Sequence, residues 1–440
     1  MSDHMRELIE RRQRGESCGI PSYCTANPIV LEACLELHKK LNAPVLIEAT
    51  ANQVNQFGGY TGMHPADFRD MVFDLADKVG YPKDMIILGG DHLGPLTWVG
   101  LSEEEAMANS RVLVREFVLA GFKKIHLDTS MKLSGDDKDA PLSDATIARR
   151  GAELYAVCEQ AYQELKKADP AQQRPTFIIG SEVPIPGGAQ EEEDTISVTK
   201  PEALVNTLDA YRRAFEAVGQ GSAFENIIGV VVQPGVEFGD EGYFRYCPEN
   251  AEKLVEETKK HKGIVLEGHS TDYQPSEALK EMVRDGIAIL KVGPALTYAL
   301  REGLFALSMM EAELVDAERV DFPQVLENAM LNDPSKWIKH YHGDEKQKAL
   351  CRKYSYSDRC RYYLTVPEVS KAIDDLLERM SGITIPMNML HQYMPVQYAK
   401  ITRGHLENSA RELVKDYVVN LALDYCYAVG FIEDIPNIHY

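Results

Sequence analysis

Met85-Ile86-Ile87-Leu88-Gly89-Gly90-Asp91-His92-Leu93-Gly94-Pro95 decides how the rest of the chain is read. Its four leading apolar residues make a run of the length of a buried strand. An acid and an imidazole follow, between glycines that let the backbone turn sharply and approach a ligand. A (β/α)8 barrel carries its chemistry at such strand ends, at the C-terminal mouth. One Asp-His pair is a weak signal, because such pairs also brace loops. Here the pattern comes back along the chain.

Outward from this stretch, strands are expected near 19–24, 44–50, 85–92, 124–130, 176–183, 227–235, 264–270 and 288–294. Helical patterns lie between them at 27–41, 65–79, 102–120, 144–168, 201–218, 248–260 and 275–284. Ser102 with Glu105 three residues on has the spacing of a capping box. Eight short strands alternating with helices have the rhythm of an α/β fold, a (β/α)8 TIM barrel, over residues 1–310. An open doubly wound sheet is disfavoured, since no GxGxxG fingerprint follows the first strand. A short charged helix is expected at 6–14. Beyond about residue 295 the strand signal stops. Residues 311–440 are expected as a helical extension packed on the barrel or on a partner subunit, with a polar break at 340–353.

The 440 residues carry a formal charge of -21, which argues against nucleic acid and against anionic membranes as partners. A local basic pocket for a phosphorylated substrate is still compatible with it. No apolar run approaches the roughly 20 residues that span a bilayer, and 1–14 lacks the apolar core of a signal peptide. The eight cysteines form no CxxC pair, so a reduced, cytoplasmic setting is expected.

Read in order, the strand ends present Glu48, Asp91 with His92, His126 with Asp128, Glu182, Gln233, His269 with Asp272, and Lys291. Converging on one mouth, they make a functional site the better reading. His92 and His269, each in a Gly-flanked segment, are the candidate metal ligands, with Glu182 and Gln233 completing an oxygen-rich shell. Neutral imidazole suits a divalent zinc, manganese, cobalt or nickel ion. Asp91 is then free as acid or base, with Asp128 and Glu182 as further catalytic candidates. His126 is either part of this set or a core histidine bonded to backbone. Glu48, Asp272 and Lys291 are candidate substrate contacts, although Lys291 also fits a Schiff-base lysine or an anion ligand. The loop 52–62, with Asn52 and Gln53, is rich in amides and glycines. It suits recognition of sugar hydroxyls or bracing of the barrel. Ser357, Arg359 and Arg361 have the composition of a phosphate cradle, or Ser357 is a helix N-cap.

Seven stretches together carry a family resemblance: 47–63, 89–95, 180–188, 232–238, 269–274, 291–297 and 354–361. The chain resembles the Z-type, non-catalytic subunit of class II D-tagatose-1,6-bisphosphate aldolase, a family that includes ketohexose-6-phosphate 4-epimerases. The resemblance implies a distant relation to the zinc-dependent class II aldolases. Asp91-His92 matches their strand-end pair, His269 their last zinc histidine, and Glu182 before Gly187-Gly188 their catalytic glutamate. Gln233 stands where they have another zinc histidine. Lys291-Val292-Gly293-Pro294 replaces their Asn-x-Asp-Thr phosphate motif. Two roles are implied. One is a subunit that stabilises a catalytic aldolase partner in galactitol and N-acetylgalactosamine catabolism. The other is a C4 epimerase of tagatose 6-phosphate and fructose 6-phosphate, and the strand-end residues favour it. A homo-oligomer is expected. Some members carry the label tagatose-6-phosphate kinase, which the sequence does not support, having no glycine-rich ATP loop.

Overall fold

The computed structural model describes residues 3–184, 196–315 and 319–435. The expected Gly187-Gly188 loop lies outside them. Eight parallel strands close into a barrel: β1 (Ile20–Cys24), β2 (Val45–Thr50), β3 (Ile86–Leu93), β4 (Lys124–Leu127), β5 (Thr176–Ile179), β6 (Ile227–Val232), β7 (Val265–Gly268) and β8 (Ile287–Val292). Each pairs with the next in sequence, and β8 closes on β1. The chain is thus the expected (β/α)8 barrel. Its helices begin where the local chemistry starts them. The Asn27 side chain accepts from the amides of Ile29 and Val30, and Ser102 and Glu105 form the capping box ahead of Glu103–Leu119.

Successive side chains of a strand face opposite ways, so residues two apart share the barrel interior. Leu46 and Glu48, Ile87 and Gly89, Lys124 and His126, Val265 and Glu267, and Ile289 and Lys291 are such pairs. The lowest layer is apolar, with Ile20, Leu46, Ile87, Ile178, Val265 and Ile289. Met5, Leu8 and Ile9 of the helix His4–Gln13 plug it from below. The next layer is charged, with Glu48, Lys124 and Glu267 all fully buried. Gly89 makes room for it, since a Cβ there would lie 2.3 Å from the Glu48 Oε1 atom.

After β8 the helix Pro294–Leu314 leads into the extension, whose last helix, Ala410–Ala428, packs against it and against Ser276–Arg284 and Pro28–Leu41. The expected polar break at 340–353 is corrected: Glu345–Tyr354 is a helix, started by an Asp344/Gln347 capping box. Its periodicity was hidden because ion pairs rather than apolar contacts hold it, Arg352 pairing with Glu327. Among the described residues no helix is long and apolar enough to cross a membrane. All eight cysteines are free thiols.

His38, fully buried between barrel and extension, donates from one ring nitrogen to the Pro44 carbonyl (2.8 Å) and accepts from the Tyr23 hydroxyl (3.1 Å) at the other. Burial pushes it down from 6.5 to about 4. Between those values the unfolded chain takes up a proton that the folded chain refuses, so this group's stabilisation is lost as pH falls. The loss amounts to about 3 kcal/mol when complete. Urea midpoints should therefore drop from pH 7.5 to pH 5, and less so in His38→Gln. An equal drop in both proteins would refute the assignment.

Candidate metal centre

Asp91 and His92 are neighbours, yet both sit fully buried inside the barrel. A regular strand would point them to opposite faces. Gly90 pairs with Ile125 and Leu93 with Leu127, so β3 holds one residue more than β4 over this step. That is a β-bulge, which re-aims a side chain. His92 absorbs it in the left-handed region at φ +48°. For a residue other than glycine this costs about 1–3 kcal/mol, a strain concentrated at functional sites.

The bulge brings His92 to His126 on β4 and His269 just beyond β7. Asp91, His92, His126 and His269 each offer a ligand atom within 4.8 Å of the others. Every imidazole has a carboxylate on one nitrogen. His92 Nδ1 meets Asp128 Oδ2 at 2.7 Å, His126 Nδ1 meets Asp91 Oδ1 at 2.9 Å, and His269 Nε2 meets Glu267 Oε1 at 2.9 Å. The other nitrogens of His92 and His126 (Nε2) are buried without a hydrogen-bond partner among the described residues. Metal-binding histidines are held this way, oriented by a carboxylate on the far nitrogen. Burial pushes His126 down to about 4 and His269 to about 3, so both keep the neutral form that owns a lone pair. Burial alone would raise the Asp128 carboxyl, but the hydrogen bond with His92 holds it below the usual range.

Charge points the same way. Among the described residues, Glu48, Asp91, Asp128 and Glu267 face only Lys124 and Lys291 inside the barrel, an excess of two negative charges. Burying uncompensated charge is costly, and a divalent cation held by these donors would offset it. Lys124 Nζ lies 2.7 Å from both Glu48 Oε1 and Glu267 Oε2, so it ties the lower layer to the carboxylate behind His269.

Above the cluster opens a cleft of about 600 Å³, its open mouth included. His92, His269 and Lys291 line its floor, with Asn52, Gln53, Asp272 and Arg361 on the walls. Lys291 Nζ donates to Asp91 Oδ2. Arg361 reaches in from the extension on the short 3-10 helix Arg359–Tyr363, anchored by Asp358, which accepts from Arg301 Nε (3.1 Å) and Thr297 Oγ1 (2.6 Å).

Residues 5–430 match the family described as D-tagatose-1,6-bisphosphate aldolase subunit GatZ/KbaZ-like. The chain belongs to this family. It is 43% identical to a Sinorhizobium meliloti 1021 protein described as a probable tagatose 6 phosphate kinase. The match covers 93% of this chain and 100% of that one, with a TM-score of 0.86. A fructose-bisphosphate aldolase of Campylobacter jejuni is 14% identical over 86% of this chain and 92% of its own, at a TM-score of 0.42.

Against the GatZ/KbaZ-like pattern read from the sequence, the structure assembles Asp91, His92 and His269 and adds His126. It does not bring Gln233 or Glu182 to them. Gln233 Oε1 already accepts from the amides of Gly235 (2.8 Å) and Val236 (3.0 Å), closing the turn after β6. Glu182 is exposed beyond the end of β5. Asp128 stands behind His92 rather than in the cleft. Glu48 points below the cleft into the charged layer, where Lys124 holds it. Asn52 and Gln53 line the cleft while bracing its loop, Asn52 accepting from Thr97 Oγ1 (3.3 Å) and Gln53 from the Thr50 amide (2.8 Å). Of the expected phosphate cradle only Arg361 lines the cleft. Ser357 is buried against Ser355 and Asp240, and Arg359 turns to the Lys336 carbonyl. Asp272 lines the cleft but spends one oxygen on backbone amides. Lys124 and Glu267 escaped the sequence reading. Their signal was period two, since each sits two residues before a site histidine on the same strand face.

Proposed function

We propose that the chain is a metal-dependent isomerase that inverts C4 of a ketohexose phosphate, interconverting tagatose 6-phosphate and fructose 6-phosphate. What carries this reading is the grouping of three buried, carboxylate-backed imidazoles beneath an open cleft lined by Asn52, Gln53, Lys291 and Arg361. Zinc, manganese, cobalt or nickel held by His92, His126 and His269 would supply a Lewis acid for a ketose carbonyl. The C4 hydrogen lies beta to the C2 carbonyl and is not acidic, so direct proton exchange there is unattractive. A retro-aldol route avoids it. Asp91, between His126 and Lys291, takes the O4 proton as the C3–C4 bond breaks. The bonding pair passes into the three-carbon enediolate and C4 becomes an aldehyde. Rotation about C4–C5 presents the other face of the aldehyde. The C3–C4 bond re-forms and the proton returns to O4.

The test is to incubate the purified chain with each metal on fructose 6-phosphate and follow the C4 epimer by NMR, beside an EDTA-treated control. Product that depends on the metal is the expected result. No product with any of the four metals would overturn the epimerase reading. If adding a class II aldolase then raised that partner's activity, the stabilising-subunit role would take its place.

A further inference from the structure

We propose that Asp272 restricts the cleft to substrates bearing one anionic group, seated on Arg361, and so excludes ketohexose bisphosphates. The proposal rests on the sugar-phosphate reading of the cleft and names which sugar phosphates it takes.

A (β/α)8 barrel commonly seats a phosphate on the loops after its seventh and eighth strands, against a helix N-terminus whose free amides face the anion. In this chain those donors are spent. The Asp272 side chain, on the loop after β7, accepts from the Gly293 amide at 3.0 Å and the Ala295 amide at 2.8 Å through the same oxygen, Oδ1. Pro294 between them has no N–H. The Leu296 amide donates to the Gly293 carbonyl at 3.0 Å. The carboxylate is 2% exposed and lines the cleft. An arriving phosphate meets a built-in anion and no unspent amide at the start of that helix.

Lys291 and Arg361 are the cations that line the cleft among the described residues. The Lys291 ammonium is committed to Asp91. Arg361 has no carboxylate partner within ion-pair distance among the described residues. Carbonyl oxygens of Ser357 and Asp358 and the Tyr362 ring, 4.4 Å from the guanidinium carbon, hold it in place. A fixed guanidinium is suited to a phosphate, which it meets with paired donors. One cation is free for the substrate, and one anion position is already filled. That matches a hexose carrying one phosphate and not two.

Calorimetric titration of the full chain with fructose 6-phosphate, fructose 1,6-bisphosphate and free fructose tests this. The intact protein should favour the monophosphate over the bisphosphate by about tenfold or more, the scale of one unfavourable charge contact. Asp272→Asn keeps an acceptor for both amides and removes the charge. It should tighten the bisphosphate and bring the two within about threefold. Arg361→Met should weaken the monophosphate toward free fructose. Asp272→Ser serves if the asparagine variant does not fold. Equal binding of mono- and bisphosphate by the intact protein, or an unchanged ratio in the Asp272 variants, overturns the proposal and leaves the epimerase reading standing. A monophosphate preference without epimerisation supports the proposal and sinks the epimerase reading. Failure of both sugar phosphates to bind overturns both.

Discussion

The His269→Ala chain is expected to lose divalent-metal affinity and the proposed turnover together while keeping its fold. His269 lies one residue beyond the last paired position of β7, at the floor of the open cleft, so its removal breaks no strand pairing. It does remove one of three imidazoles that, with Asp91, bring ligand atoms within 4.8 Å of one another. Glu267→Gln is the milder counterpart, because it weakens only the group behind His269. Losing such a partner costs about 10–100-fold in metal affinity, and losing the imidazole itself should cost more. Chelator-competition titrations with zinc measure both, and circular dichroism reports the fold. Wild-type zinc affinity in His269→Ala would remove that residue from the ligand set.

Lys124→Met is expected to produce the largest loss of stability of any single change in the barrel interior. Glu48 and Glu267 flank the ammonium, and all three side chains are fully buried. Removing one partner of a buried ion pair costs about 3–5 kcal/mol, because the remaining charge is left uncompensated. Here two carboxylates would be left facing each other. A folded protein has only about 5–15 kcal/mol in total, so the variant should be marginal or unfolded. Replacing the set together, as Glu48→Gln, Lys124→Met and Glu267→Gln, should recover most of the loss, since no unpaired charge then remains. Denaturation with chelator present keeps metal binding out of the comparison. A Lys124→Met midpoint equal to wild type would show that the lysine is not the counter-charge of this layer.

These two residues also mark how far the sequence could be read. His269 was legible, because it ends a strand between polar neighbours. Lys124 was not, because at the start of a strand it looks like an ordinary solvated cation. Its partners come from β2 and β7, far apart in sequence. They meet it only across the closed barrel. Gln233 and His126 show the same limit. Both stand at strand ends with ligand chemistry. The turn after β6 captures the Gln233 carbonyl for its own amides, while His126 shares an inward face with Lys124. Ser357, Arg359 and Arg361 are three hydrogen-bonding side chains within five residues. Which of them reaches the cleft depended on the Asp358–Arg301 pairing across to the helix Pro294–Leu314.

By itself the sequence determined the eight strands, the helices between them, and the mouth at which Asp91, His92, His269 and Lys291 collect. Those follow from local rules, the apolar run of a strand, the cap of a helix and the glycines that free a turn. Tertiary structure alone decided that Asp91 and His92 both face inward, that His126 rather than Gln233 joins them, and that a lysine and two glutamates lie beneath. Side-chain direction at a bulge and pairing across a barrel depend on how neighbouring strands align, and that alignment exists only once the barrel has closed.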